Sequence, residues 1–331
     1  MKKTLAFLVS SFICSFIIAQ TSKAKDIFIA GYEVDSTKAV AKYWKNGVAT
    51  NLSDGSYDAY AQSIFVSGND VYVAGYDYNS KKSVAKYWKN GVATNLTDGI
   101  NNAYAESVFV SGKDVYVTGY ESNGKKDVAK YWKNGVPVNL TDGNEYARAM
   151  SIFVSGNDVY VAGEEQKNSI YIAKYWKNGT AVNLTDGTSS AEGNSIVVVG
   201  NNVYVAGDDG SAGGKSIAMF WKNGIATKLS DGVNSTFPHS IVVAGTDVYV
   251  VGIEYSADFL HTTAKYWKNG VLTNLSDGTK DADATAIAVV GTDVYIVGDK
   301  DGAATCWKNG TPTPVTGSAN SLVAKSIYIT K

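Results

Sequence analysis

Every tryptophan in this 331-residue chain falls in the same four-residue word. Trp-Lys-Asn-Gly occurs seven times, with tryptophans at Trp44, Trp88, Trp132, Trp176, Trp221, Trp267 and Trp307, spaced by 44, 44, 44, 45, 46 and 40 residues. A fixed period in this range belongs to a repeat architecture, in which each unit is one supersecondary element that buries its faces only against its neighbours. The repeat therefore overrides the usual reading of such a length as two or three domains.

One unit, taken from the second copy, contains four strand candidates: 63–66, 70–75, 84–88 and 92–96. All are short, rich in β-branched and aromatic residues, and bounded by turn residues. Asn90-Gly91 joins the third to the fourth, and Asn-Gly suits the two positive-φ positions of a type I′ hairpin turn. Ser67-Gly68-Asn69 joins the first to the second. The strands alternate little, so both sheet faces are expected to be buried. Four antiparallel strands per period, seven times over, predict an all-β fold: a single seven-bladed β-propeller. The mature chain enters on a second strand, Asp26 to Gly31, and ends on a first strand, Ser326 to Ile329. Three N-terminal strands and one C-terminal strand should thus close the ring. The other phase needs a blade-to-blade crossing through Ser-Gly-Asn, which is too short.

The stretch from Ser63 to Gly75, reading SIFVSGNDVYVAG, resembles the repeats of secreted bacterial β-propeller proteins. The resemblance covers essentially all of the chain after its N-terminus and implies a scaffold. The Lys-Tyr-Trp-Lys-Asn-Gly hairpin departs from the usual form of those repeats.

Residues 1–24 read as a signal peptide: Lys2 and Lys3, an apolar run from Leu5 to Ala19, then polar residues, with cleavage expected within 19–24. Residues 25–331 form the propeller. The apolar run is shorter than a spanning helix needs, and no later segment could span a membrane. Secretion, the cell surface or the periplasm is the expected location. Formal charge is −1, and 28 basic residues face 31 acidic ones after residue 20, so nucleic acid is not an expected partner. Cys306 is the sole cysteine beyond residue 24 and occupies a position held by Tyr or Phe in the other copies, which reads as packing. A monomer without cofactor or metal is expected.

The seven copies can be compared with one another. The two hairpin turns barely change, whereas the second-to-third loops and the blade crossovers vary strongly. In an antiparallel blade the constant turns share one face of the disc and the variable loops share the other. Variable loops on a rigid scaffold are where binding usually lives, though drift after duplication gives the same pattern. Just before the near-constant serine of the first strand stand Gln62, Glu106, Met150, Asn194, His239, Thr285 and Lys325. This position is expected at the channel mouth, ahead of the inner strand. Two residues upstream, Tyr60, Tyr104, Arg148 and Phe237 are the expected anchors. These eleven residues form the candidate ligand-binding set.

The tryptophans share one phase beside an invariant turn and read as a packing ring rather than sugar platforms. The lysines two residues before them (Lys42, Lys86, Lys130, Lys174 and Lys265) read as solvated or snorkelling stems. The Asp-Gly pairs at Asp54, Asp98, Asp142, Asp186, Asp231 and Asp277 read as turns, since one carboxylate per loop is thin for calcium. With only two histidines, His239 and His261, no triad or zinc set assembles, and no catalytic residue is assigned. The function this supports is a non-catalytic binding scaffold for a protein or glycan. A multivalent lectin-like propeller is the alternative, ahead of a secreted hydrolase or lyase.

Overall fold

The computed structural model describes residues 25–35, 37–212, 214–315 and 321–330, so the expected signal segment and Cys14 lie outside the described residues. Twenty-eight strands form seven four-stranded antiparallel sheets, and the described residues contain no helix. Blade 2 has an inner strand Ala59–Ser67, a second Asp70–Tyr78, a third Ser83–Lys89 and an outer Val92–Asn95. The inner strands of blades 3 to 7 are Ala103–Ser111, Ala147–Ser155, Ala191–Val199, Thr236–Ala244 and Ala282–Val290. Blade 1 closes the ring as expected: the C-terminal strand Ser321–Ile329 pairs with Ile27–Asp35, which continues into Lys38–Lys45 and Val48–Asn51.

The seam between blades is built on the tryptophans. All seven are at most 1 % exposed. Each packs on the preceding blade: Trp132 of blade 3 lies against Tyr72, Ala74 and Ala85 of blade 2, and Trp44 of blade 1 against Tyr295 and Val297 of blade 7. Burial is not uniform across a blade. The inner three strands are largely buried, but the outer strands are exposed at all positions except Thr50, with Val92 71 % exposed, because no sheet lies beyond them. The expectation of two buried faces holds only for the inner strands.

The two constant turns lock each other. Asn90 and Gly91 take φ of 50° and 83°, as the type I′ turn requires. The Asn90 side chain accepts from Val71 N at 2.8 Å and donates to Asp70 Oδ1 at 2.8 Å, and Lys89 pairs with Asp70. The same asparagine-to-backbone bond recurs at Asn46, Asn134, Asn178, Asn223, Asn269 and Asn309. The Asp-Gly loops are turns in which the carboxylate accepts a backbone N–H two residues on, as Asp142 does from Asn144.

A lysine row that reads as solvated or snorkelling in the sequence is instead buried. Lys86, Lys130, Lys174 and Lys265 are at most 8 % exposed and pair with Asp77, Glu121, Glu165 and Glu254; Lys42 pairs likewise with Glu33. Each lysine stands opposite a second-strand glycine, and its carboxylate lies two residues further along that strand. Carboxylate and ammonium thus meet on one diagonal of the sheet, and the ammonium also lies 5.9 Å from the Trp132 and Trp176 rings.

Loss of residues 324–331 strips Ile327 and Ile329 from a closed core. We expect it to lower the unfolding free energy by about 3–6 kcal/mol, read as a drop in the urea midpoint; an unchanged midpoint would contradict the closure.

Candidate functional site

Each inner strand carries one β-bulge, and all seven fall at the same place. The register shifts between Ala61 and Ser63, leaving Gln62 unpaired, and likewise leaves Glu106, Met150, Asn194, His239, Thr285 and Lys325 unpaired. The heterogeneous ring therefore sits within the inner strands, not ahead of them. The strands begin earlier than their β-branched cores suggest, because the bulge continues the pairing past an irregular residue. All seven side chains are half-buried. Opposite each bulge stands the second-strand glycine. A Cβ on Gly119 would overlap the carbonyl oxygen of Tyr104, so this position admits only glycine.

The ring is stitched to itself. Asn194 Nδ2 donates to Pro238 O at 3.0 Å, and Thr285 Oγ1 donates to Ala324 O at 2.9 Å. His239 Nδ1 lies 3.2 Å from Ala284 O and 3.1 Å from Asp283 Oδ1. Both neighbours are acceptors, so Nδ1 carries the proton and faces both. Burial opposes the charged imidazole, but Asp283 outweighs it and raises the His239 pKa. The serine after each bulge explains its own constancy. Ser63, Ser107, Ser151, Ser195 and Ser326 each accept a backbone N–H from the next blade, at 3.2–3.4 Å.

On the variable-loop side, first- and second-strand residues of adjacent blades alternate around the channel. In blades 1 to 4 they run Tyr32, Tyr60, Tyr76, Tyr104, Tyr120, Arg148, with ring centroids 4.8–5.1 Å apart and the Arg148 guanidinium 5.2 Å from the Tyr120 ring. Arg148 also reaches Asp127. The register then continues through Glu164, Glu192, Asp208, Phe237 and Ile253 to Asp283 and Asp299. The rim thus runs through a tyrosine arc, an acidic arc and an apolar arc to a second acidic pair, Asp283 and Asp299. Of the expected anchors, Tyr60, Tyr104 and Arg148 belong to the tyrosine arc and are engaged with one another, whereas Phe237 stands in the apolar arc.

A hollow of about 570 Å³ opens over blades 4 to 6, lined by Met150, Glu192, Asn194, Phe237, His239 and Phe259 among others. It gathers four of the eleven expected binding residues. Gln62, Glu106, Thr285 and Lys325 are not part of its lining. Phe259 is absent from the expected set. It lies on the loop of blade 6, is 54 % exposed, and adopts φ of 59°, which a bulky residue rarely accepts. It continues an aromatic run from Phe237 through Tyr255, with centroids 5.9 Å apart at each step, and Lys215 Nζ lies 4.1 Å from its ring. The 46-residue step between Trp221 and Trp267 marks the extra length of this copy in the sequence.

Burial shapes the charges. Desolvation pushes Glu106 up to about 7 against the opposing pull of Lys325 and Arg148, and Asp208 up to about 7 with help from Glu192. Glu164 is held well above the usual carboxylate range, by burial first and then by Glu192. Burial also pushes the Cys306 thiol up to about 11, as befits a packed and unreactive sulfur. Among the described residues no group of three or more His, Cys, Asp or Glu side chains is arranged to hold a metal ion.

No family model and no curated protein matches the chain, so the resemblance to secreted bacterial propeller repeats extends no further than the fold. Among solved structures, it is similar to a puromycin-hydrolyzing peptidase from Mycobacterium tuberculosis (TM-score 0.58, 10 % identity), covering 87 % of this chain and 53 % of that one. It is also similar to an acylaminoacyl peptidase from Pyrococcus horikoshii (TM-score 0.50, 10 % identity), covering 88 % and 50 %. A putative TolB from Agrobacterium tumefaciens shows a TM-score of 0.48 at 11 % identity, over 76 % of this chain and 88 % of that one. This chain spans about half the length of the two peptidases. The likeness is one of propeller fold, and that fold by itself establishes no catalysis.

The Glu106 shift has a sign that can be measured. Between the ordinary carboxylate range and about pH 7 the folded protein keeps a proton that the unfolded chain releases. Stability contributed by that proton is present at low pH and lost as pH rises through this window. Glu106→Gln should therefore be more stable than the parent at pH 7.5 and lose that advantage at pH 4.5. Chemical denaturation at both values checks this; an equal difference at both would reject it. Gly119→Ala should cost about 2–4 kcal/mol by forcing the bulge apart, measured the same way.

Proposed function

We propose that this chain is an exported, non-catalytic binding scaffold that takes its ligand on the variable-loop face, over the hollow between blades 4 and 6. The observation that carries the reading is the aromatic lip. Phe259 is exposed and strained, and it borders a hollow already lined by Phe237 and Tyr255. Strain of this kind persists where function retains it, and exposed aromatics beside a concave surface are the usual anchors of an interface. The constancy of the opposite face has a structural reason in the locked turns, so it is no sign of a binding surface there. Export rests on the N-terminal pattern of Lys2, Lys3 and the apolar run that follows.

A lectin with seven equivalent pockets fits less well. The tryptophans are sealed between blades, and the continuous tyrosine arc of the rim is confined to blades 1 to 3, so no stacking surface recurs in every blade.

The reading is tested with a partner captured from the extracellular fraction. Phe237→Ala and Phe259→Ala should each weaken its binding by about tenfold, while Lys45→Ala and Lys89→Ala on the constant face should not. Bound partner should slow amide exchange in 236–261 and leave the Lys-Asn-Gly turns untouched. Protection of those turns instead would place function on the repeated face.

A further inference from the structure

The acidic arc departs from the economy of the lysine row. The buried lysines of that row are each partnered by a carboxylate. Glu164 and Asp208 are each 4 % exposed, yet Glu164 Oε2 has no hydrogen-bond partner, and Asp208, which Ser216 reaches, keeps its Oδ1 without one. Buried carboxylate oxygens left in this way are costly unless a proton or a cation meets them. Arg148, the cross-strand neighbour of Glu164, acts on it through charge, but its guanidinium is turned to Asp127 and the Tyr120 ring. Glu192 stands between the two acids on the rim: it pairs with Asp208 across its own blade, and it is the strongest neighbouring charge on Glu164. Glu192 is itself exposed and lines the hollow whose far wall is Phe237, Ile253, Tyr255 and Phe259. Glu192 therefore forms one side of an apolar cavity, with the buried Glu164 and Asp208 as its neighbours along the rim.

We propose that Glu164, Glu192 and Asp208 receive an organic cation, an ammonium or guanidinium group, whose apolar body lies in the hollow against Phe237 and Phe259. The inference rests on the binding-face reading above and names the chemistry of its ligand. The three acids are spread along the rim and do not converge as a metal cage does. A guanidinium or ammonium presents several N–H donors in different directions, which suits separated acceptors. The aromatic wall adds cation–π and apolar contact of the kind Lys215 already makes with Phe259. Such a group can come from a basic side chain of a polypeptide or from a free amine or amidine.

Ligand-observed NMR titrations of the full chain decide the matter, with benzamidinium as probe and benzamide as its neutral counterpart. Benzamidinium should bind, and benzamide should bind at least about tenfold more weakly. Glu192→Gln, which changes an exposed side chain, should weaken benzamidinium about tenfold and leave benzamide unaltered. Glu164→Gln should do the same, with an unfolding curve confirming that the variant is folded. A capped Phe-Arg peptide that binds more tightly than benzamidinium marks a polypeptide source, and the reverse order marks a small molecule; both support the inference. Equal binding of the two probes, lost in Phe259→Ala but not in Glu192→Gln, would overturn cation recognition while leaving the binding face intact. Displacement of benzamidinium by calcium, with calcium binding abolished in Glu192→Gln, would make the arc a metal site and overturn the inference. Failure of both probes and the peptide to bind would overturn it as well; the partner-binding test with Phe237→Ala would then judge the face independently.

Discussion

Each blade depends on an indole that belongs to the next one. A four-stranded sheet of this size has two apolar faces and too little area to fold alone. Trp132 supplies to blade 2 what Trp88 supplies to blade 1, and Trp44 returns the contact to blade 7. The seam hydrogen bonds from the post-bulge serines run in the same sense around the ring. Packing and polar contacts thus enforce a single direction of stacking, and a closed ring is the arrangement that leaves no blade without its partner.

Much of this was legible in the sequence because it is periodic. The tryptophan word, the Asn-Gly turn and the mismatch of the two chain ends carry the blade count, the hairpins and the closure. What was not legible depends on cross-strand geometry. The bulge cannot be read from the run of residues 59–67, since Gln62 looks like any polar residue before a strand. Its signature is on the partner strand, in Gly75, and only pairing connects the two. The buried lysines show the same limit: Lys86 and Asp77 are nine residues apart in the chain and meet only across the sheet. In the sequence their types argued for solvent, and in the structure their mutual charge allows burial.

The candidate site was legible in part for a related reason. Positions that differ among copies can be recognised without a structure, and Met150, Asn194, Phe237 and His239 are among them. Their grouping cannot, because neighbours around the rim come alternately from first and second strands. Glu164 and Asp208 escape a reading that follows first strands only. Phe259 escapes it because it stands in a second-to-third-strand loop that is longer in this copy than in the others.

The bulges carry a consequence for how such a ring can change over time. A bulge residue makes no ladder pair, so its replacement is little felt by the blade that carries it. It nevertheless faces its counterparts across a shared interior, in the strands nearest the axis. Duplication of one blade therefore multiplied a position at which substitution is tolerated and chemically visible at once. Descendants of the same ancestral unit could then become Gln, Glu, Met, Asn, His, Thr and Lys while the serine beside them stayed nearly fixed. The fold separates the residues that keep the ring closed from those free to give its interior an identity, and it does so within two adjacent positions of one strand.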